Sequence, residues 1–179
     1  MHTTLSTLRS DYDVHAGRSI ALPGAGAIAW TVVALSGLFL APRPATLVLL
    51  VATGLVFPLA LALARPLGER LVDNPNPLAT LMGRSVLMVN LLWAVHLTLL
   101  AHDWSFLPLT LAIGLGLHWV VFGWVIAHHV GLVHAVGRTL LVTVAWWAFP
   151  DARVSAVAIA VVAAYAYAIV VLARRPRRG

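Results

Sequence analysis

The chain has no cysteine and no lysine, and only 6 of its 179 residues are acidic. The absence of cysteine excludes disulfides, thiolate catalysis and metal or iron–sulfur sites with cysteine ligands. The absence of lysine excludes Schiff-base chemistry, because no side-chain amine is available to form the imine. Charged residues make up 10% of the chain, against about 25% in a typical soluble domain, whereas 61% of the residues are hydrophobic. Since a water-soluble fold of this composition could not cover its surface with polar groups, we expect lipid around most of the chain.

Six hydrophobic runs of 17 or more residues recur along the sequence. Each run is long enough for a helix to cross a hydrocarbon layer of ~30 Å at ~1.5 Å per residue. The sequence therefore predicts an all-α fold, a polytopic bundle of six transmembrane helices within residues 23–173. The predicted spans are 25–41, 44–64, 85–101, 105–127, 129–149 and 153–173. A polar N-terminal arm (1–22) precedes the bundle, a polar loop (65–84) interrupts it, and a basic tail (174–179) follows it. Pro58 predicts a kink in the second helix.

The distribution of arginine predicts the orientation of the bundle. Nine arginines lie in the arm, the 65–84 loop and the tail, whereas two, Arg43 and Arg153, lie in the connections at the opposite end. Because positively charged segments are retained in the cytoplasm, both termini are expected there, in a multi-pass inner-membrane protein. The net charge of +6 then matches anionic lipid headgroups. We expect the bilayer as a partner and no nucleic acid.

The residue that most needs explanation is Arg138, about nine residues into the predicted span 129–149. A charge at that depth is costly unless it has a partner, yet no predicted span contains Asp or Glu. His134 lies four residues earlier, on the same helix face. We expect Arg138 to bind an anionic group such as phosphate, carboxylate or a lipid headgroup, or to donate to Asn90 or to the backbone carbonyls freed at Pro58. The structural alternative is that it snorkels toward the membrane surface or bonds to carbonyls as a lock.

Histidines form the second set of candidates. His96, His118 and His134 lie within three successive predicted helices, and His118 and His134 can approach each other on facing helices. Such histidines suit a proton relay, ligation of haem or metal, or a purely structural role. No ligand spacing specifies a metal or cofactor, and neither a metalloprotease motif nor a Ser–His–Asp arrangement is present. The sequence therefore favours a role other than catalysis.

Alanine recurs every four residues along the last predicted helix, at Ala156, Ala160, Ala164 and Ala168. Small residues at this spacing allow two helix backbones to approach closely. The stripe predicts either a homo-oligomer contact or packing inside the bundle.

Three short segments carry a family resemblance: Gly54 through Pro58-Leu59-Ala60, then Asn76-Pro77-Leu78 with Leu81, and then Gly114-Leu115-Gly116-Leu117-His118-Trp119 with Trp124. Together they resemble a family of small bacterial integral membrane proteins known as a domain of unknown function. The resemblance extends over about residues 20–170. It implies six helices and a short cytoplasmic N-terminal arm, but no activity. Within these segments it singles out His118 and Trp124 as positions to test.

These observations favour a transporter or channel-like carrier for a small anionic or proton-coupled solute. Its predicted substrate-binding residues are Arg138, His134, His118, Asn90, His96 and Trp124. Two alternatives remain: a non-catalytic membrane scaffold or partner subunit, and an intramembrane haem- or metal-binding protein or enzyme.

Overall fold

Helices dominate the computed structural model, which describes residues 4–72 and 74–176. Over these residues the helices are α1 (Leu5–Ala16), α2 (Ala21–Phe39), α3 (Pro42–Gly54), α4 (Val56–Leu67), α5 (Pro77–Leu91), α6 (Trp93–His102), α7 (Leu107–Gly114), α8 (His118–Val125), α9 (Val130–Ala148) and α10 (Arg153–Arg174). Short 3-10 helices lie at Trp104–Phe106 and Pro150–Ala152. The described residues contain no strand, so the predicted all-α class is confirmed. Residues 177–179 of the predicted tail lie outside the described residues.

Five helical segments are long and apolar enough to cross a membrane: Ala21–Phe39, Pro77–His102, Trp104–Val125, Val130–Ala148 and Pro150–Arg174. The α3–α4 pair makes a sixth if it is counted as one span, bent by 46°. Five helical segments of the described residues thus support the predicted membrane character. The predicted total of six spans is reached only if the bent pair α3–α4 counts as one span.

The bend between α3 and α4 lies one turn before Pro58. Proline has no N–H to donate to the carbonyl of Gly54, and its ring crowds that carbonyl. The chain closes the turn through Leu55, whose N–H lies 3.1 Å from the Val51 carbonyl oxygen and 3.2 Å from that of Ala52. The kink expected from Pro58 is therefore present, with its break at Leu55.

Two helices begin earlier than the sequence analysis predicted. The first span was expected to open after Pro23, but α2 begins at Ala21, because proline is tolerated in a first turn, where its missing N–H has no helical acceptor. The span predicted at 85–101 begins at Pro77. Asn76 sets this start, since its side-chain oxygen accepts a hydrogen bond from the Leu78 N–H at 2.8 Å and caps the helix.

Helix α10 is central to the bundle, since it packs against α2, α9 and α7. Half of its alanine stripe is used inside the chain, because Ala164 and Ala168 are buried. Ala156 and Ala160 are half-buried. Packing within the bundle therefore accounts for Ala164 and Ala168. A homo-oligomer that forms through this helix stays a prediction.

Helices α8 and α9 cross where two glycines meet. A Cβ atom added to Gly131 would collide with the carbonyl oxygen of Trp119 and with the backbone of Gly123. Since these obstacles are backbone atoms, they cannot rotate away. The close approach lets the Trp119 ring reach His134 on α9.

The N-terminal arm and the loop after α4 are joined to each other at one end of the bundle. The carboxylate of Glu69, in the loop after α4, accepts hydrogen bonds from the N–H groups of Ile20 at 2.7 Å and Ala21 at 2.9 Å. It thereby caps the N-terminus of α2. Asn76 donates a hydrogen bond to the Leu8 carbonyl oxygen of α1 at 2.8 Å. The first helix, the long loop and the start of α2 are thus joined through hydrogen bonds.

The chain ends are joined by a buried ion pair. Arg175 donates two hydrogen bonds to the carboxylate of Asp13, at 3.0 and 2.9 Å. The side chains are 6% and 1% exposed, respectively. Burial, together with the charge of Asp13, raises the pKa of the neighbouring Tyr12 to about 12. The Tyr12 hydroxyl therefore stays protonated and uncharged. Arg175 thus remains paired with the Asp13 carboxylate.

Arg175→Ala should lower the free energy of unfolding by about 3–5 kcal/mol, because it leaves the Asp13 carboxylate buried without a cation. Unfolding of the detergent-solubilised protein, followed by circular dichroism during titration with a denaturing detergent, measures the change. Arg174→Ala is the matched control, since Arg174 is exposed, and should cost no more than about 0.5 kcal/mol. Equal losses in the two variants would contradict this account of the ion pair.

Gly131→Ala and Gly137→Ala should have opposite effects although both lie on α9. The first forces α8 away from α9 and should cost about 1–3 kcal/mol or more. The second meets no atom within 4 Å and should stabilise the helix by up to about 1 kcal/mol. Melting temperatures of the two variants in the same detergent test this, and similar melting temperatures would refute the close crossing.

Candidate functional site

Arg138 lies inside the bundle, on the α9 segment that is long enough to span a membrane, and its side chain is 1% exposed. Its Nε, Nη1 and Nη2 atoms are buried and have no hydrogen-bond partner among the described residues. The ion pairs in the described chain lie instead in α1 and between α1 and Arg175. A guanidinium carries five N–H donors and stays charged in proteins. Arg138 therefore brings a full positive charge and unused donors into the interior.

Aromatic rings flank the guanidinium on two sides. Its Cζ atom lies 5.5 Å from the ring centroid of Trp30 on α2 and 5.1 Å from that of Tyr165 on α10. Tyr165 reaches this position because α2 has a glycine opposite it: a Cβ on Gly26 would lie 2.5 Å from the Tyr165 Cζ. Each cation–π contact is worth up to about 2 kcal/mol when desolvated, whereas burying an ion costs several kcal/mol. The two rings offset only part of this cost.

His134 lies one helical turn before Arg138 and is also 1% exposed. Its Nδ1 is 3.1 Å from the Ala164 carbonyl oxygen. Since a carbonyl oxygen only accepts, Nδ1 donates and carries the ring hydrogen. The imidazole stacks on Trp119 with ring centroids 3.9 Å apart. The other nitrogen, Nε2, is buried without a partner in the described chain, so it can take up a proton or accept a hydrogen bond.

The indole nitrogens of Trp30 and Trp119 are buried as well, and neither has a hydrogen-bond partner among the described residues. An indole N–H can only donate. The unsatisfied nitrogens of Arg138, Trp30 and Trp119 are thus all N–H donors, and His134 adds the Nε2 lone pair. Donors around a positive charge are complementary to an oxyanion, so the residues present fit an anionic ligand.

The backbone is irregular where it meets Arg138. Between α7 and α8, the N–H groups of Gly116, Leu117 and Trp119 donate to carbonyls three residues earlier, at 2.9, 3.2 and 3.2 Å. This 3-10 pattern within a longer helix often marks a hinge or a strained functional segment. A Cβ on Gly116 would lie 3.1 Å from the Arg138 Cδ. The joint between α7 and α8 therefore leaves room for the arginine side chain.

Three of the predicted site residues meet at this joint, and a fourth lies beside it. His118 begins α8 and is half-buried, and its ring centroid lies 6.2 Å from that of Trp119, the residue that stacks on His134. His96 on α6 is buried next to Gly114, where an added Cβ would lie 3.3 Å from its Nε2. The histidines on α6, α8 and α9 are thus arranged around the α7–α8 joint.

The other two predicted residues lie elsewhere. The side chain of Asn90 is exposed on α5, and it is not a hydrogen-bond partner of Arg138. Trp124 is 52% exposed at the end of α8, where the guanidinium of Arg9 lies 5.0 Å from its ring centroid. Neither residue belongs to the buried cluster around Arg138.

Sequence reasoning missed the roles of Trp30, Tyr165 and Gly116. The sequence analysis singled out neither Trp30 nor Tyr165. One signal was available: a tyrosine in the middle of an apolar span has a hydroxyl that water cannot satisfy. Gly114 and Gly116 were noted only as part of the family resemblance, and they make room for His96 and Arg138, respectively.

Among the described residues, no three His, Asp or Glu side chains come close enough together to hold a metal ion. Cavities of about 290 and 370 Å³ open at the two ends of the bundle. Arg138 lines neither of these cavities. A ligand that reaches Arg138 therefore needs the surrounding helices to move.

The chain belongs to a family of unknown function, DUF7010, which it matches over residues 5–175. The resemblance noted from the three short segments is thus confirmed. No curated protein and no solved structure matches the chain. Since the family carries no assigned activity, a function has to be inferred from the buried cluster itself.

Gly116→Ala should destabilise the protein while Arg138 is present, because the new methyl group would lie 3.1 Å from the Arg138 Cδ and must displace that side chain by a few tenths of an ångström. In an Arg138→Ala background the Cδ atom is gone, so the same substitution should cost less. Unfolding free energies of the four proteins in this double-mutant cycle measure the coupling, which we expect to exceed about 0.5 kcal/mol. Additive effects would show that Gly116 does not accommodate Arg138.

Proposed function

We propose that this protein is a six-span membrane carrier that binds a small oxyanion at Arg138 and moves it across the bilayer. The observation that carries the proposal is the state of Arg138: its side chain is 1% exposed, and none of its nitrogens has a partner among the described residues. A permanent charge in a membrane interior is costly and is characteristic of substrate and ion pathways. An anion would supply the missing acceptor atoms.

The course of the bent pair supports six spans. Helix α3 begins at Pro42, beside the same cavity as Trp104 and Arg153 at one end of the bundle. Helix α4 leads at the opposite end to Glu69, which caps the start of α2. The pair therefore runs from one end to the other and serves as one broken span. Six crossings return the chain to the side on which it starts, and the arginine distribution favours the cytoplasm for that side.

The donor set favours a carboxylate, a phosphate or a similar small oxyanion. The planar guanidinium matches two oxygens of such a group at once. His134 would take up a proton together with the anion, because its Nε2 has no partner among the described residues while Nδ1 remains held by the Ala164 carbonyl, and the negative ligand would offset the repulsion between a charged imidazole and Arg138. An anion and a proton moving together would carry less net charge through the bilayer than the anion alone.

Irregular helices adjoin the site and supply candidate hinges. The bent pair α3–α4 packs on α2, the helix that carries Trp30. On another side, Gly116 in the α7–α8 joint contacts the Arg138 side chain. Broken helices near the midplane recur in carriers, where their movement opens the site to one side at a time. Opening at these two breaks would expose Arg138 to one side of the membrane at a time.

Transport is tested in proteoliposomes with radiolabelled acetate, phosphate and chloride as probes. The wild-type protein should carry at least one of them faster than empty liposomes. Arg138→Met should reduce that flux about tenfold or more, because it removes the charged donors. Arg84→Met is the matched control, since Arg84 is exposed on α5, and should transport normally. Flux that is unchanged in Arg138→Met, or absent for all three probes, would contradict the proposal.

The stability of Arg138→Met separates ligand binding from a structural lock. Replacing a buried, unpaired charge by an apolar side chain of similar length should leave the melting temperature unchanged or raise it, measured without added anion. If Arg138 held the helices together, the same substitution should cost about 3–5 kcal/mol, as when a buried pair is broken. A loss of that size would contradict the functional assignment.

A further inference from the structure

We infer that a second site, separate from Arg138, binds the headgroup of an anionic phospholipid at the end of the bundle where α1 meets α8 and α9. The site is the cavity of about 370 Å³ lined by Arg9, Trp124, His128, His129, Val120 and Leu132. We call it the headgroup cavity. The residues that form the headgroup cavity take no part in the proposed transport.

The headgroup cavity is divided between basic and apolar residues. Its basic side chains come from α1 and from the turn between α8 and α9, at the end of the two spans. Its apolar residues, Val120 and Leu132, lie farther along α8 and α9 and are 47% and 56% exposed. No acidic side chain of the described residues lines the cavity. A ligand with a negative group at one end and a hydrocarbon chain at the other is complementary to this arrangement.

Arg9 supplies the permanent charge and is held in a fixed position. Its Nη2 donates a hydrogen bond to the Trp124 carbonyl oxygen at 2.7 Å. Its guanidinium lies 5.0 Å from the Trp124 ring centroid. Its Nε is buried and has no partner among the described residues. The arginine is therefore oriented by α8, while its Nη1, which is not buried and donates to no described residue, remains available to a ligand.

The two histidines extend the basic surface. His128 accepts a hydrogen bond from the Val130 N–H through Nδ1 at 3.0 Å, so the hydrogen of the neutral ring is on Nε2, which can donate. His129 is exposed and stacks on His128, with ring centroids 4.4 Å apart. Burial, then the neighbouring His129 and Arg175, lower the pKa of His128. A bound anion would oppose this shift by favouring the charged ring.

The position of the cavity favours a lipid over a free anion. It lies where Trp104–Val125 ends and Val130–Ala148 begins, two segments long and apolar enough to cross a membrane. Basic pockets between helices at this level bind anionic headgroups, and tryptophan is enriched at the same interface. A free phosphate would use Arg9 and the histidines but would leave Val120 and Leu132 exposed.

The test is a titration of the detergent-solubilised full chain with phosphatidylglycerol and with phosphatidylcholine of identical acyl chains, with bound lipid counted by native mass spectrometry. The wild-type protein should bind the anionic lipid about tenfold more tightly. Arg9→Gln combined with His129→Gln should remove this preference. Arg65→Gln is the matched control, since Arg65 is exposed at the end of α4, and should keep it.

Four further outcomes decide the assignment. His129→Gln alone changes an exposed residue, so it should keep the wild-type melting temperature while weakening the preference. Arg138→Met should keep the full preference, which separates this site from the transport site. Equal binding of the two lipids to the wild-type protein would overturn the inference, and so would complete displacement of phosphatidylglycerol by equimolar inorganic phosphate.

Discussion

The charge of Arg138 is the constraint around which the centre of this bundle is arranged. Arginine cannot discharge itself by losing a proton, and the spans around it contain no carboxylate. Three parts of the chain adjust to it: α2 contributes the Trp30 ring, α10 contributes Tyr165, and the α7–α8 joint has a glycine where the side chain passes. These contacts hold the guanidinium in place without supplying acceptor atoms. A bound anion would supply the acceptor atoms that the guanidinium lacks.

Three of the described acidic residues make specific contacts at the ends of the bundle. Glu69 caps α2, Asp13 pairs with Arg175, and Asp103 accepts hydrogen bonds from Ser105 at the opposite end. The protein therefore concentrates its charge pairing where water and headgroups are near and leaves its interior cation unneutralised. This division links stability to function, because the end contacts fix the helices that position Arg138. Packing elsewhere in the fold therefore has to offset the free-energy cost of burying the unpaired charge of Arg138.

Much of the architecture could be predicted from the sequence, because long apolar runs specify helices and spans directly. The pairing of His134 with Arg138 was also predictable, since residues four apart share a helix face. The contribution of Trp30 and Tyr165 was not, because it depends on which helices are neighbours. Asn90 was misjudged as a partner for a related reason. The segment Pro77–His102 is peripheral, since 17% of its most apolar 18-residue window is buried, and its largely apolar sequence does not indicate which face points outward.

The measurement that tests the central claim most directly is an anomalous-scattering map of the crystallised protein soaked with selenate. Selenate has the charge and the oxygen geometry of a small oxyanion, and selenium can be located without ambiguity. The account predicts a selenium peak inside the bundle, with selenate oxygens within hydrogen-bond distance of the Arg138 nitrogens. A map with no selenium there, and with the guanidinium donating to backbone carbonyls instead, would contradict it.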